Sequence, residues 1–195
     1  MVLGRRPTDN HERLFRQYLD LFLRWNQVHR MTALDSAPAI VRDLFIDSLL
    51  FLKVLPQRRP LAVVDIGAGA GIPGLPMRLA DPALTLCLVE SRRKRVSFLR
   101  TACRELGLTD VSVVEGRAEQ IVQDDPALNE VFDAVVSRAV ERIDRLSPVA
   151  LPYLRPGGTL IVSASPQSHL SAGVDLVTVP TPRTGGSRRF LTIKK

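Results

Sequence analysis

From residue 61 onward the chain alternates short apolar runs with stretches of helical periodicity, and few folds satisfy that rhythm. The apolar runs are "LAVVDI" (61–66), "LTLCLVE" (84–90), "VSVVE" (111–115), "FDAVVS" (132–137) and "GTLIVSA" (158–164). Helical candidates lie between them, near 74–80, 92–107, 117–123 and 144–154. Strand, helix, strand, helix in succession predicts a parallel sheet with helices on both faces. The runs are apolar nearly throughout, as strands covered on both sides must be. Two more runs, "VDLVTV" (174–179) and "FLTIK" (190–194), are joined by "PTPRTGGSR". That link is too short for a crossover helix but ample for a hairpin-like return. The expected architecture is therefore α/β, a mostly parallel seven-stranded sheet with an antiparallel C-terminal edge.

Ahead of the sheet, Leu14, Tyr18, Leu21, Trp25 and Val28 recur at three- and four-residue steps through 9–30. This is the pattern of an amphipathic helix with those residues inward. A second helix is predicted over 38–54, with Ile40, Val41, Leu44, Phe45, Leu49 and Leu52 inward. "PQRRP" (56–60) ends it, since proline opposes helix continuation. Residues 1–58 read as a helical cap and 59–195 as the main domain, the two forming one compact unit.

No window holds the roughly 18 consecutive apolar residues of a membrane span, and "MVLGRRPTDNHERLF" lacks the apolar stretch of a signal peptide. Both features point to the cytoplasm and away from a membrane. Cys87 and Cys103 lack metal-ligand spacing and read as reduced core thiols, so no metal is expected. The net charge of +7 is unevenly spread. Residues 91–104 hold six basic residues and no acid, and the tail 183–195 holds five and no acid. In 110–133, by contrast, Arg117 is the only base among many acids. One reading is a solvated surface of lopsided charge. The sharper one is a basic rim for a polyanion such as RNA, with Arg92, Arg93, Arg95 and Arg189 as contacts.

The most informative stretch is "VVDIGAGAGIPGLP" (63–76), which carries Gly67, Gly69, Gly71 and Gly74 after an apolar run. Gly69 to Gly74 fits the dinucleotide pattern G-x-G-x-x-G, and glycines there let a ligand approach the backbone. They also make tight turns and close helix packing with no ligand at all. Pro73 suits an early helix position, where its missing N–H is no loss. Asp65 distinguishes the possible ligands. A pyrophosphate needs positive potential at the helix start, and a carboxylate beside it is unfavourable, whereas a ligand ammonium suits it. Glu90, at the end of the second strand, is placed to accept hydrogen bonds from ribose hydroxyls. Adenosine joined to an amino acid, as in S-adenosyl-L-methionine, fits both acids. Ala118 and Glu119, after the third strand, are placed for adenine, although Glu119 also suits a first helical turn. Arg138 ends the fourth strand, where the methyl donor and acceptor should meet, and a strand-end arginine is expected to contribute little to the core.

These residues together resemble one family, the bacterial small-subunit rRNA guanine-N7 methyltransferases, also called glucose-inhibited division protein B. The likeness runs from about Trp25 to Ser163 through "WN" (25–26), "DS" (47–48), "DIGAGAGIPGLP" (65–76), "ESRRKRVSFLR" (90–100), "RAE" (117–119) and "SRA" (137–139). It implies a class I, Rossmann-like S-adenosylmethionine-dependent methyltransferase fold with an N-terminal helical cap. It further implies cofactor contacts at Gly67, Ile72, Ala118, Glu119 and Arg138, with Glu90 at the ribose. Asp65 and Gly69 complete the expected cofactor set. The implied reaction is N7-methylation of a guanine of 16S rRNA, position 527 in the usual rRNA numbering. Its partner is then 16S rRNA or the small ribosomal subunit, and the chain works as a monomer. Guanine N7 bears no proton, so Arg138 would position rather than act as a base. The chain departs from the family pattern at "RMT" (30–32, usually Asn-Leu-Thr), at Arg42-Asp43 (usually Arg-His) and at Glu90 (usually Asp). "VSASPQ" (162–167) also lacks the family's lysine-glycine, and the segment before the tail is shortened. The alternatives are a nicotinamide-dependent oxidoreductase and a non-catalytic rRNA-binding or assembly protein with a vestigial pocket.

Overall fold

The structure, a computed structural model, describes residues 3–4, 6–138, 142–164, 172–181 and 186–195. Five strands lie parallel: β1 (Leu61–Ile66), β2 (Leu84–Glu90), β3 (Val111–Glu115), β4 (Phe132–Ser137) and β5 (Leu154–Ser163). Then β7 (Ser187–Lys194) runs antiparallel to β5 and to the edge strand β6 (Asp175–Pro180). The sheet order is β3-β2-β1-β4-β5-β7-β6, which differs from the dinucleotide order 3-2-1-4-5-6 by the inserted antiparallel strand. Helices α4 (Gly74–Ala80), α5 (Arg93–Glu105), α6 (Ala118–Asp124) and α7 (Ile143–Ala150) join β1 through β5 in turn. The predicted alternation is thus realised, antiparallel edge included.

Alternate residues of each strand serve two cores, as a period of two requires. Val63, Leu86, Leu88, Ala134, Val136 and Ile161 face one side together with α4 and α5. Val64, Cys87, Val89, Val135, Leu160 and Val162 face the other, under α6 and α7. The N-terminal helices belong to the first core. Helix α1 (Asp9–His29) opens on a reciprocal cap: Thr8 Oγ1 accepts the His11 N–H at 3.3 Å, and His11 Nδ1 accepts the Thr8 N–H at 3.1 Å. Tyr18 of α1 stacks on Phe45 at 4.8 Å, and Phe22 meets Phe98 of α5 edge-on at 6.1 Å. These contacts seat the cap on the sheet.

Three local expectations differ from the structure. Val28, expected inward, is 73% exposed. The last core contact of α1 is Trp25 on Phe98 at 5.5 Å, and the final turn runs past its partner although the periodicity continues. The second helical segment is not uniform. It passes from α2 (Ala37–Ile40) through a π-helical turn (Val41–Ile46) into α3 (Asp47–Leu49) and a 3₁₀ turn (Leu50–Lys53). The wide turn shifts the inward face, so Ile40 and Phe45 are buried while Leu44 and Leu49 are half-buried. Finally β5 starts at Leu154, ahead of Pro156, Gly157 and Gly158, and its register with β4 shifts between Phe132 and Ala134.

Asp133, a buried acid inside the apolar β4, anchors the sheet's opposite end. Its carboxylate pairs with Arg58 and Arg155 and accepts the Ala62 N–H at 2.7 Å. It thereby ties the proline-bounded linker to β1 and β5. Asp133→Ala should lower stability by about 1–3 kcal/mol, because both arginines can rehydrate while the Ala62 amide loses its acceptor. Urea denaturation measures this, and an unchanged midpoint would show that these pairs contribute nothing.

Candidate active site

Parallel pairing brings the carboxyl ends of the strands to one edge. Asp65 pairs with Val136, Ile66 with Val89 and Glu90 with Glu115. The chain therefore leaves β1 at Gly67 with Arg138 on one side and Glu90 on the other. The Ser137 hydroxyl donates to the Ile66 carbonyl at 2.9 Å, and the Gly116 N–H donates to the Glu90 carbonyl at 3.0 Å. One edge thus gathers Asp65, Gly67, Gly69, Ile72, Glu90, Ala118, Glu119 and Arg138.

The glycines divide by role. The N–H groups of Gly67 and Ala68 both donate to the Val89 carbonyl, at 2.9 and 3.0 Å. Gly67 has φ +72°, and a Cβ there would meet open space, so a ligand can reach its backbone. At Gly74 a Cβ would stand 2.8 Å from Asp65 Oδ2 and from Leu88 Cδ2, so this glycine serves packing. The packing reading of the loop is therefore realised at Gly74, and Gly67 leaves its backbone open. Pro73 stands at the cap of α4 rather than inside its first turn.

Asp65 is fully buried in β1. Its Oδ2 accepts the Gly74 N–H at 2.9 Å, while Oδ1 has no hydrogen-bond partner among the described residues. Loss of water pushes its carboxyl up to about 7, aided by the nearby Glu90 and opposed by the Gly74 hydrogen bond. This carboxylate meets the first amide of α4 from inside the core and puts an acid beside the helix start. Glu90, also buried, accepts the Gly69 N–H at 2.9 Å through Oε2 and the Arg92 N–H at 2.8 Å through Oε1. Each carboxylate oxygen has a second lone pair, so Glu90 shapes its own loop and keeps acceptor capacity.

Ala118 is buried at the start of α6, and its carbonyl accepts the Tyr153 hydroxyl at 2.7 Å. Glu119 is exposed and lies 3.7 Å from Arg117, an ion pair worth little in water. Ile72 is half-buried against the cap-side core.

The cap reaches this edge at two points that sequence reasoning missed. The buried Tyr18 hydroxyl donates to the Ala70 carbonyl of the glycine loop at 2.5 Å. Periodicity marked Tyr18 as core; the available signal was that a buried tyrosine hydroxyl needs a partner. Arg138 Nη2 donates to the Asp43 carbonyl at 2.8 Å and lies 3.7 Å from Asp47 Oδ2. Asp47, itself buried, takes Arg188 Nε at 2.5 Å through its other oxygen. The Arg138 side chain is only 23% exposed, and burial lowers its pKa against the pull of Asp47. The expectation that Arg138 adds little to the core is thus corrected, because its planar head bolts β4 to the cap. Asp43 stands where the resembled family has histidine, but the contact uses its backbone carbonyl, which any residue supplies.

The four arginines expected to touch RNA do not form one face. Arg92, Arg93 and Arg95 line a single cleft with the end of α1. Arg189 lies on β7, four strand positions from β2, or about 19 Å at ordinary sheet spacing. Ala139 of "SRA" and residues 165–167, where the lysine-glycine is missed, lie outside the described residues. Among the described residues no His, Cys, Asp and Glu group could hold a metal, and no helix is long and apolar enough to cross a membrane.

Solved structures define the class. A SAM-dependent methyltransferase from Aquifex aeolicus aligns with TM-score 0.58 at 16% identity, over 80% of this chain and 93% of that one. TrmN from Thermus thermophilus aligns with TM-score 0.59 at 18% identity, over 77% and 48%. The fold is that of the S-adenosylmethionine-dependent methyltransferases. Sequence narrows the class: the profile of GidB, rRNA small subunit methyltransferase G, matches residues 11–170. Ribosomal RNA small subunit methyltransferase G of Streptococcus sanguinis (strain SK36) is 39% identical over 155 residues, covering 79% of this chain and 65% of that protein. Its namesake from Geobacillus sp. (strain WCH70) is 35% identical over 179 residues, covering 91% and 75%. The chain belongs to the rRNA small subunit methyltransferase G family. It spans 65%, 62% and 63% of the length of the relatives from S. sanguinis, Clostridium novyi and Alkaliphilus oremlandii.

A buried carboxyl held up near 7 has a consequence for stability. Its folded pKa exceeds the unfolded one, so protonation favours the fold; that stability is present at low pH and is lost as pH rises through about 7. Asp65→Asn keeps an acceptor for Gly74 and cannot ionise. The parent should therefore lose about 1–4 kcal/mol relative to this variant between roughly pH 4 and 7, with no further change above. Denaturation of both proteins across that range measures the difference, and a flat difference would place Asp65 at an ordinary carboxylate pKa.

Proposed function

We propose that this chain binds S-adenosyl-L-methionine at the carboxyl edge of its sheet and methylates N7 of a guanine in 16S rRNA. The observation that carries the reading is Asp65 at the start of α4: one oxygen accepts the Gly74 N–H, and the other is buried with no hydrogen-bond partner among the described residues. A phosphate there would face a carboxylate, whereas an ammonium would supply the missing partner. The antiparallel β7 and the names of the relatives favour the same reading over a nicotinamide-dependent oxidoreductase.

In this reading Asp65 holds the cofactor's ammonium and Glu90 its ribose hydroxyls. Gly67 and Gly69 give backbone access, Ile72 lends an apolar wall, and Ala118 with Glu119 receives the adenine. When bound, the cofactor supplies a methyl group on a positively charged sulfur. Guanine N7 offers a lone pair and carries no proton, so the protein needs no general base. His11 and His29 both lie on α1. The work of the chain is to orient the two reactants and keep water from between them. Arg138, fixed by Asp43 and Asp47, positions the methionine carboxylate or the target nucleotide. Tyr18 holds the glycine loop in shape from the cap side. A single copy, with 1–58 capping 59–195, provides every residue named, and 16S rRNA or the small ribosomal subunit is the partner in the cytoplasm.

Calorimetry tests the cofactor. S-adenosylmethionine and its demethylated product should bind, NAD should bind far more weakly, and Glu90→Ala should weaken cofactor binding by about 1–3 kcal/mol. Tighter binding of NAD would overturn the assignment.

Tritiated methyl incorporation into small-subunit RNA tests Arg138. Arg138→Ala should reduce transfer severely, with a stability loss of about 1–2 kcal/mol because its bond to the Asp43 carbonyl goes too. Arg138→Lys should rescue poorly, since lysine keeps the charge but lacks the planar, bidentate head with which a guanidinium can hold a carboxylate or phosphate. A thermal melt of each variant separates the two effects, and near-normal incorporation by Arg138→Ala would remove it from the site.

A further inference from the structure

The last turn of α1 and the first turn of α5 wall a cleft of about 260 Å³. His29, Arg30 and Met31 line one side, and the consecutive cations of 92–95 line the other. Among the described residues no carboxylate lines it. Arg93 lies 3.5 Å from Glu115 and Arg95 lies 3.7 Å from Glu90, loose pairs that neutralise little of the cleft. Arg30, Arg92 and Lys94 have no ion-pair partner among the described residues. So many like charges around one concavity repel one another in the folded chain and raise its affinity for anions.

Arg30 adds a backbone cost. It caps α1 in the left-handed region, at φ 46° and ψ 56°, where glycine or asparagine is favoured. An arginine there is the poorer choice for the helix end and the better one for charge.

We infer that this cleft seats phosphodiester groups of RNA beside the cofactor edge. Arg95 joins the two places, lining the cleft while its guanidinium reaches Glu90. RNA is favoured over an acidic protein segment because, Met31 aside, every lining residue ends in a cation or an imidazole, a density of donors that suits closely spaced phosphates. Only the identity of the RNA rests on the proposed function. The seat requires side chains from the cap and from α5 together, so it exists only in the folded chain.

The test is a titration of the full chain with transcribed small-subunit rRNA at several salt concentrations. Arg30→Asn and Lys94→Gln should each weaken binding roughly tenfold. Each should also lower the slope of log affinity on log salt by about one. Arg30→Asn should melt no lower than the parent, since asparagine suits the left-handed position, so lost affinity cannot be laid to misfolding. Binding of the demethylated cofactor product, measured by calorimetry, should be unchanged in both. Parental affinity and slope in both variants would overturn the seat, as would a parent with no salt-dependent RNA affinity. An equal loss of product binding would move these cations into the cofactor site and overturn it as well. Polyglutamate that displaces RNA at matched charge would reassign the cleft to an acidic protein and overturn the phosphate seat. Variants that lose RNA affinity beside a parent that transfers no methyl would sustain the seat while the proposed reaction fails.

Discussion

Asp65 sits buried in the middle of the sheet, one oxygen on the Gly74 amide and the other with no hydrogen-bond partner among the described residues. Burying a carboxylate in this way is costly unless its surroundings are arranged around it. Gly74 must lack a side chain, because a Cβ would press on Oδ2 and on Leu88. Helix α4 must begin at that residue so that its first amide points back into β1. The loop between them is pinned at three further places: by the Val89 carbonyl under Gly67 and Ala68, by Glu90 under Gly69, and by Tyr18 at Ala70. A buried acid and the loop that accommodates it therefore form one unit.

That unit reaches into the cap. Tyr18 and Phe45 stack, and the same π-helical turn that carries Phe45 offers the Asp43 carbonyl to Arg138. Asp47, just past the turn, receives Arg138 and Arg188 from two different strands. A wide turn is less favourable than a regular one, and such turns recur where local geometry serves a site. Here it brings an aromatic ring, a carbonyl and a carboxylate to one edge of the sheet. The cap is accordingly a wall of the site and shares its core.

Two groups of cations differ in kind. Arg58, Arg155, Arg138 and Arg188 are tied to buried carboxylates, Asp133 and Asp47. They join elements, and their charge is largely spoken for. Arg30, Arg92 and Lys94 face a cleft that no carboxylate lines among the described residues. The net charge of +7 does not tell the two kinds apart; only the folded positions do.

Much of the fold was legible because its cause is local. Apolar runs at regular spacing, helical periodicity between them and a short final link dictate strands, crossovers and an antiparallel edge through chain geometry alone. The places of Asp65, Gly67 and Glu90 at the ends of β1 and β2 were legible for the same reason, since an apolar run shows where its strand stops. Val28 and the π-helical turn were not, because periodicity reports a face and cannot report where the partner of that face stops or a turn widens. The division of the glycines, the grip of Tyr18 on Ala70 and the binding of Arg138 to the cap were also beyond the sequence. Each joins residues between about 40 and 140 positions apart, or sets one side chain against another in a crowded core. What the sequence determined is the order of elements and the kinds of chemical groups at their ends. What only the tertiary structure decided is which of those groups lose water together, and burial is what sets Asp65 apart from an ordinary surface acid.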